Sequence, residues 1–213
     1  MNFSELVEHI IMGDAKATEQ WINQALSSKV EPRDIIEQGL VPGMAVVGEK
    51  FKNYEYYLPE VLISARAMQK GMAMLRPLLT DRQAPNVGRV AIGTVKDDLH
   101  DIGKNLVAMM LEGAGFEVYN LGADVAPQSF IDAIQEHDCD LVCLSALLTT
   151  TMPMMRTTIE ALQQAGVRQR VKVMVGGAPV TQDYATEIEA DGYAPDGASA
   201  VDKARELVGI AAG

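Results

Sequence analysis

The hydrophobic period of this chain changes once, near residue 89, and that change limits the folds open to it. From Phe3 to about Leu79 apolar residues recur at helical spacing; from Arg89 onward short apolar runs alternate with amphipathic stretches. The first part reads as four helices. Leu6, Ile10 and Ile11 mark one, and Asp14 suits the N-cap of the next, which carries Ala17, Trp21, Ile22 and Leu26. Pro32 fits the first turn of a third helix through Ile35, Ile36, Leu40, Met44 and Val47, with Gly39, Pro42 and Gly43 as its expected points of kinking. Pro59 opens a fourth through Val61, Leu62, Ala65, Met68, Met72 and Leu75. Four helices with short connections predict a small bundle over residues 1–84.

The second part, residues 89–213, predicts strands at Arg89 to Gly93, Glu117 to Leu121, Leu141 to Ser145, Val171 to Val175 and Gly192 to Ala194. The predicted helices are Lys104 to Ala114, Pro127 to Glu136, Met152 to Ala165, Thr181 to Ile188 and Ser199 to Ile210. Such alternation gives an α/β domain with a five-stranded parallel sheet covered on both faces. A flavodoxin-like (Rossmann-like) strand order follows, with ligands expected where the loops after the first and third strands diverge. The polar stretch Asp81 to Gly88, with Pro85, is the expected linker.

Composition removes several function classes. A formal net charge of −11 argues against nucleic acid, whose phosphates need clustered Lys and Arg. Two cysteines, Cys139 and Cys143, are too few for a disulfide framework. No apolar run approaches the roughly 18 residues of a membrane span, and no signal peptide is visible, so a cytoplasmic protein is expected.

Three loops should meet at the carboxyl ends of the strands. The first is Asp98-Leu99-His100-Asp101-Ile102-Gly103, the second Ser145 to Thr151, the third Gly176-Gly177-Ala178-Pro179. A histidine with a carboxylate two residues before it suits metal ligation or proton transfer, and equally the capping of the following helix. Asp97-Asp98 invites comparison with phosphoryl-accepting receiver domains, but Ser145 stands where those need an aspartate. A P-loop fails on spacing, since Gly93 lies too far before Gly103-Lys104 and Asn105 replaces the hydroxyl residue. His9 and His137 read as surface residues, and Met109, Met110, Met152, Met154 and Met155 as core.

Asp-x-His-x-x-Gly, then Ser-x-Leu, then Gly-Gly, with residues 104–144 and 148–175 between them, resembles the cobalamin-binding signature of base-off, histidine-on corrinoid proteins. The helical half resembles the cap that precedes the cobalamin module in methionine synthase, a pairing also found in the corrinoid proteins of methylamine, methanol and betaine methyltransferase systems. The resemblance implies that the cofactor's own benzimidazole leaves cobalt and that His100 becomes its lower axial ligand, with Asp98 as that histidine's partner and Thr151 extending the relay. It implies a binding loop of Asp97, Asp98, Leu99, His100, Asp101, Ile102 and Gly103. Gly103, Ser145, Leu147, Thr149, Gly176, Gly177 and Ala198 would line the slot for the nucleotide tail. Phe51 and Leu58 would cover the upper face of the corrin, with Glu37 near the cofactor. Two departures stand out: Asp97 replaces a usual glycine, and Thr151 replaces a serine.

A corrinoid methyl carrier cycles between Co(I) and methyl-Co(III). The resemblance therefore implies a non-catalytic carrier in one-carbon metabolism, served by a substrate:corrinoid methyltransferase, by a second methyltransferase to a thiol or tetrahydrofolate, and by a reductive activase. Other classes share parts of this plan. A cobalamin-dependent sensor would add a DNA-binding domain, for which this acidic chain has no residues left. A mutase small subunit would lack the helical half. A corrinoid store would lack methyltransferase partners.

Overall fold

A computed structural model describes residues 2–79 and 87–210, and the chain divides into a helical unit and an α/β unit. In the helical unit α1 (Phe3–Ile11) starts on Asn2, whose side chain accepts the Ser4 N–H at 3.1 Å. The predicted cap Asp14 accepts the Ala17 N–H at 2.9 Å and opens α2 (Ala15–Ser27). The third helix is continuous but changes pitch. It runs through α3 (Pro32–Ile35), a π-helical turn (Ile36–Leu40) and α4 (Val41–Lys52). Val41 N–H reaches back to the Ile36 carbonyl, and Pro42, next in line, has no N–H to give and a ring that crowds the carbonyl one turn earlier. The bend expected here is thus a widened turn.

Gly39 and Gly43 act through packing. A Cβ on Gly39 would stand 2.3 Å from Leu6 Cδ2, and one on Gly43 would stand 2.7 Å from Ile10 Cβ. Both pairs step by one helical turn, so α1 lies directly against the glycine face of the third helix. In α5 (Leu58–Leu75), Pro59 sits in the first turn, where a missing N–H costs nothing, and the Glu60 carboxylate accepts the Tyr57 N–H at 3.0 Å. The Tyr56 and Ser64 hydroxyls both donate to the Ile11 carbonyl, at 3.2 and 3.1 Å, closing the end of α1.

In the α/β unit five parallel strands, β1 (Arg89–Val95), β2 (Glu117–Val125), β3 (Leu141–Ser145), β4 (Lys172–Gly176) and β5 (Gly192–Ala194), lie in the order β2-β1-β3-β4-β5. The order reverses between β1 and β3, as the sequence predicts. Around them run α6 (Ile102–Gly113), α7 (Pro127–His137), α8 (Pro153–Gln164), α9 (Gln182–Glu187) and α10 (Gly197–Leu207). Residues of β1 and β3 are buried along most of their length, and Phe130 of α7 packs so close over β1 that a Cβ on Gly93 would meet its Cζ at 2.8 Å. The register sets Thr94, Ser145, Gly176 and Ala194 in one row across the carboxyl edge.

Several boundaries differ from expectation. β2 continues to Val125 rather than ending at Leu121, because register shifts opposite Gly93 let it absorb extra residues. α6 begins at Ile102, and α10 begins at Gly197 because Asp196 accepts the Ser199 N–H at 2.8 Å. Of the predicted linker Asp81 to Gly88, residues 81–86 lie outside the described residues. Cys139 and Cys143 are buried free thiols, and burial pushes the Cys139 thiol up to about 11. Among the described residues no helix is long and apolar enough to cross a membrane.

Candidate functional site

β1 ends at Val95, and the chain turns sharply before α6. Asp97 makes that turn in the left-handed region, at φ +67°, a conformation that aspartate tolerates better than most side-chain-bearing residues. The aspartate standing in place of the usual glycine therefore keeps a glycine-like backbone. Asp98 follows, fully buried, and its carboxylate organises the site.

One oxygen of that carboxylate, Oδ1, faces His100: it accepts the His100 backbone N–H at 3.0 Å and pairs with ring Nδ1 at 2.8 Å. The other, Oδ2, accepts the Leu147 N–H at 2.8 Å and the Thr151 hydroxyl at 2.6 Å. Burial by itself raises the Asp98 pKa, but the hydrogen bonds from Thr151, Leu147 and His100 outweigh it and hold the carboxyl well below its usual range. An ionised carboxylate only accepts, so Nδ1 carries the proton and Nε2 of a neutral ring keeps its lone pair. The Thr94 hydroxyl donates to the His100 carbonyl at 2.9 Å, fixing the backbone as well as the ring.

His100 is half exposed, its side chain at 50%, beside Leu99 at 75% and Ile102 at 74%. Leu147 and Leu148 add exposed apolar surface. A Cβ on Gly103 would meet nothing within 4 Å. At Gly177, with φ +129°, a Cβ would lie 1.9 Å from the Ala146 carbonyl oxygen, so glycine there lets the loops after β3 and β4 touch.

The structure thus joins Asp98, His100, Leu147 and Thr151 by direct hydrogen bonds, and Ser145 and Gly176 by register. Thr149 is exposed on the loop after β3, and Ala198 is buried in the first turn of α10. The Asp101 carboxylate accepts from Asn105 at 2.9 Å. In the helical unit Glu37 lies in the π turn, paired with Arg33 at 2.7 Å. Phe51 is half buried near the end of α4, and Leu58 is exposed at the start of α5. His9 lies within α1, and His137 stacks on Tyr119 with centroids 3.8 Å apart.

Sequence reasoning missed Thr94 and Asp124, and placed Ala146 and Leu148 in the loop after β3 without giving either a role. Leu148 also lies within reach of the Thr151 hydroxyl through its carbonyl, at 2.9 Å. The glycine in Gly122-Ala123-Asp124, at the end of a strand pattern, was the available signal of a bulge.

A family model described as a B12 binding domain matches residues 88–203, and a second of the same description matches residues 3–76. The chain is a B12-binding corrinoid protein. Its cofactor is a corrinoid. The trimethylamine corrinoid protein of Methanosarcina barkeri is 44% identical to it over 199 residues, 92% of each chain. The dimethylamine corrinoid protein of the same organism is 41% identical over 212 residues, 98% of this chain and 100% of that one. Among solved structures, the methanol:cobalamin methyltransferase complex MtaBC from Methanosarcina barkeri matches with a TM-score of 0.88 at 27% identity, over 97% of this chain and 79% of that chain. A cobalamin-binding protein from Desulfitobacterium hafniense DCB-2 matches with a TM-score of 0.78 at 29% identity, over 97% and 98%.

The residues of this corrinoid protein fit such a cofactor. Among the described residues no group of three or more His, Cys, Asp or Glu could hold a metal ion, so a metal at His100 would have to draw its other ligands from the cofactor itself. One imidazole suits a metal whose macrocycle supplies the in-plane nitrogens, and exposed apolar side chains flank that imidazole.

Proposed function

We propose that this corrinoid protein is a methyl carrier that binds cobalamin base-off, with His100 Nε2 as the lower ligand to cobalt. The observation that carries this reading is the pair of a fully buried Asp98 and a half-exposed His100 at 2.8 Å, which commits Nδ1 and leaves Nε2 to a metal. When bound, the corrinoid supplies the cobalt that takes up and gives up the methyl group. Asp98 and Thr151 hold or release a proton at Nδ1 as the demand on the imidazole changes. Gly103, Ser145, Leu147, Thr149, Gly176, Gly177 and Ala198 receive the nucleotide tail, while Glu37, Phe51 and Leu58 serve the upper face. The names of its methylamine relatives and of the methanol:cobalamin neighbour support a substrate:corrinoid methyltransferase as methyl donor partner. A second methyltransferase to a thiol or tetrahydrofolate and a reductive activase complete the set, and the protein works in the cytoplasm.

The ligation is tested by reconstituting protein labelled with 15N-histidine using hydroxocobalamin, reducing it to Co(II) and recording the paramagnetic resonance spectrum. A two-line nitrogen splitting that disappears in His100→Ala is expected. A three-line splitting, from unlabelled benzimidazole, overturns it. Carriage is tested by incubating the reduced holoprotein with methylamine methyltransferases and methylated amines or methanol; failure to take up methyl from any of them leaves a store instead.

A further inference from the structure

The turn that presents His100 is held from outside the cobalamin signature. β2 departs from regular pairing with β1 twice: Ile92 faces Asn120 while Gly93 faces Gly122, and Val95 faces Val125. The extra residues bulge, with Gly122 at φ +89° and Asp124 at φ +56°. These bulges aim Asp124 across the strand end at the turn after β1. Its Oδ1 accepts the Asp97 N–H at 2.8 Å and the Lys96 ammonium at 2.7 Å, and its own N–H donates to the Asp98 carbonyl at 2.9 Å. Asp124 therefore bonds to each of the three residues between β1 and the Leu99-His100 pair. One of these, Asp97, is held in a conformation that a side-chain-bearing residue adopts at a cost.

We propose that Asp124 is a positioning residue for His100: by holding Asp97 in its left-handed turn it sets Asp98, and through Asp98 the imidazole, at the height needed to reach cobalt. This rests on the histidine-on reading above. Two left-handed aspartates, one in each of two neighbouring strand ends, are joined by hydrogen bonds between their turns. The Lys96 ammonium balances the Asp124 charge, and the ion pair raises the Lys96 pKa and lowers that of Asp124.

The test uses hydroxocobalamin-reconstituted, 15N-histidine-labelled holoproteins in the Co(II) state, measuring the fraction of signal with two-line histidine splitting. Asp124→Ala should lower the ratio of histidine-bound to histidine-free cobalt about fivefold or more. Asp124→Asn, which keeps an acceptor for the Asp97 N–H, should stay close to wild type. Asp97→Gly placed on Asp124→Ala should restore ligation, because glycine takes the left-handed turn unaided. Amide exchange at Asp97 in the apoprotein supplies a readout without cofactor and should speed up in Asp124→Ala. Normal histidine splitting in Asp124→Ala, or a loss that Asp97→Gly does not repair, overturns the inference while leaving the ligation intact. A wild-type spectrum lacking histidine splitting overturns the ligation reading, and this inference with it.

Discussion

Thr151 lies in the loop after β3, yet its hydroxyl donates at 2.6 Å to the buried carboxylate of Asp98 in the loop after β1. The bond is charge-assisted and shut away from water, where such bonds are strongest. Removing the hydroxyl while keeping the shape isolates its contribution. Thr151→Val should destabilise the apoprotein by about 1.5–3 kcal/mol in urea unfolding. Thr151→Ser, which restores the donor, should fall within about 1 kcal/mol of wild type.

The same carboxylate gives stability a definite pH dependence. Its folded pKa lies below the unfolded value near 3.8, so the stabilisation is fully present above that value and is lost as pH falls toward the folded pKa. Wild type should therefore exceed Asp98→Asn in urea midpoint by a constant margin from neutral pH to about pH 5, and the margin should shrink below about pH 4. A margin that held steady down to about pH 3 would contradict the assignment of the site as an ionised carboxylate held by donors.

Gly177 tests the contact between the loops after β3 and β4. A methyl group at this position would overlap the Ala146 oxygen at 1.9 Å and would also have to sit at φ +129°. Gly177→Ala should cost about 3 kcal/mol or more. Because Ala146 immediately precedes Leu147, the displacement should also loosen the Leu147 N–H on Asp98, visible as faster amide exchange at Leu147.

In the helical unit, two glycines one turn apart should respond unequally to alanine. At Gly39 the obstruction is a terminal methyl of Leu6, which can swing aside, and the added helix propensity of about 1 kcal/mol offsets the rest. At Gly43 it is Ile10 Cβ at 2.7 Å, anchored to its own helix. Thermal unfolding should place Gly39→Ala within about 1 kcal/mol of wild type, and Gly43→Ala lower by about 2 kcal/mol.

Much of this arrangement was legible in the sequence because it follows from periodicity and from a short motif. Leu141 to Ser145 reads as a buried strand and proves to be one, and Asp14 reads as a cap and proves to be one. Asp98 and His100 pair as two residues in one tight turn can. The unread parts depend on tertiary neighbours. Pro42 marks a bend but not its form, and the π turn at Ile36–Leu40 is seen only in the structure, on the helix face that α1 lies against at Gly39 and Gly43. Asp124 carries no motif, and its role appears only when two irregularities in β2 bring it against Asp97. Strand order predicts that the loop ending in Thr151 meets the loop of Asp98, but only the resemblance pairs the two residues.

The braces on the turn before His100 come from both sides of β1, Asp124 on the β2 flank and Leu147 with Thr151 on the β3 flank. During translation the imbricated loop cannot be completed by the stretch that encodes it. A nascent chain that has emerged only as far as α7 has its histidine and the Asp124 brace but not Leu147 and Thr151, the donors to the second oxygen of Asp98, so the histidine is made early and becomes fixed late.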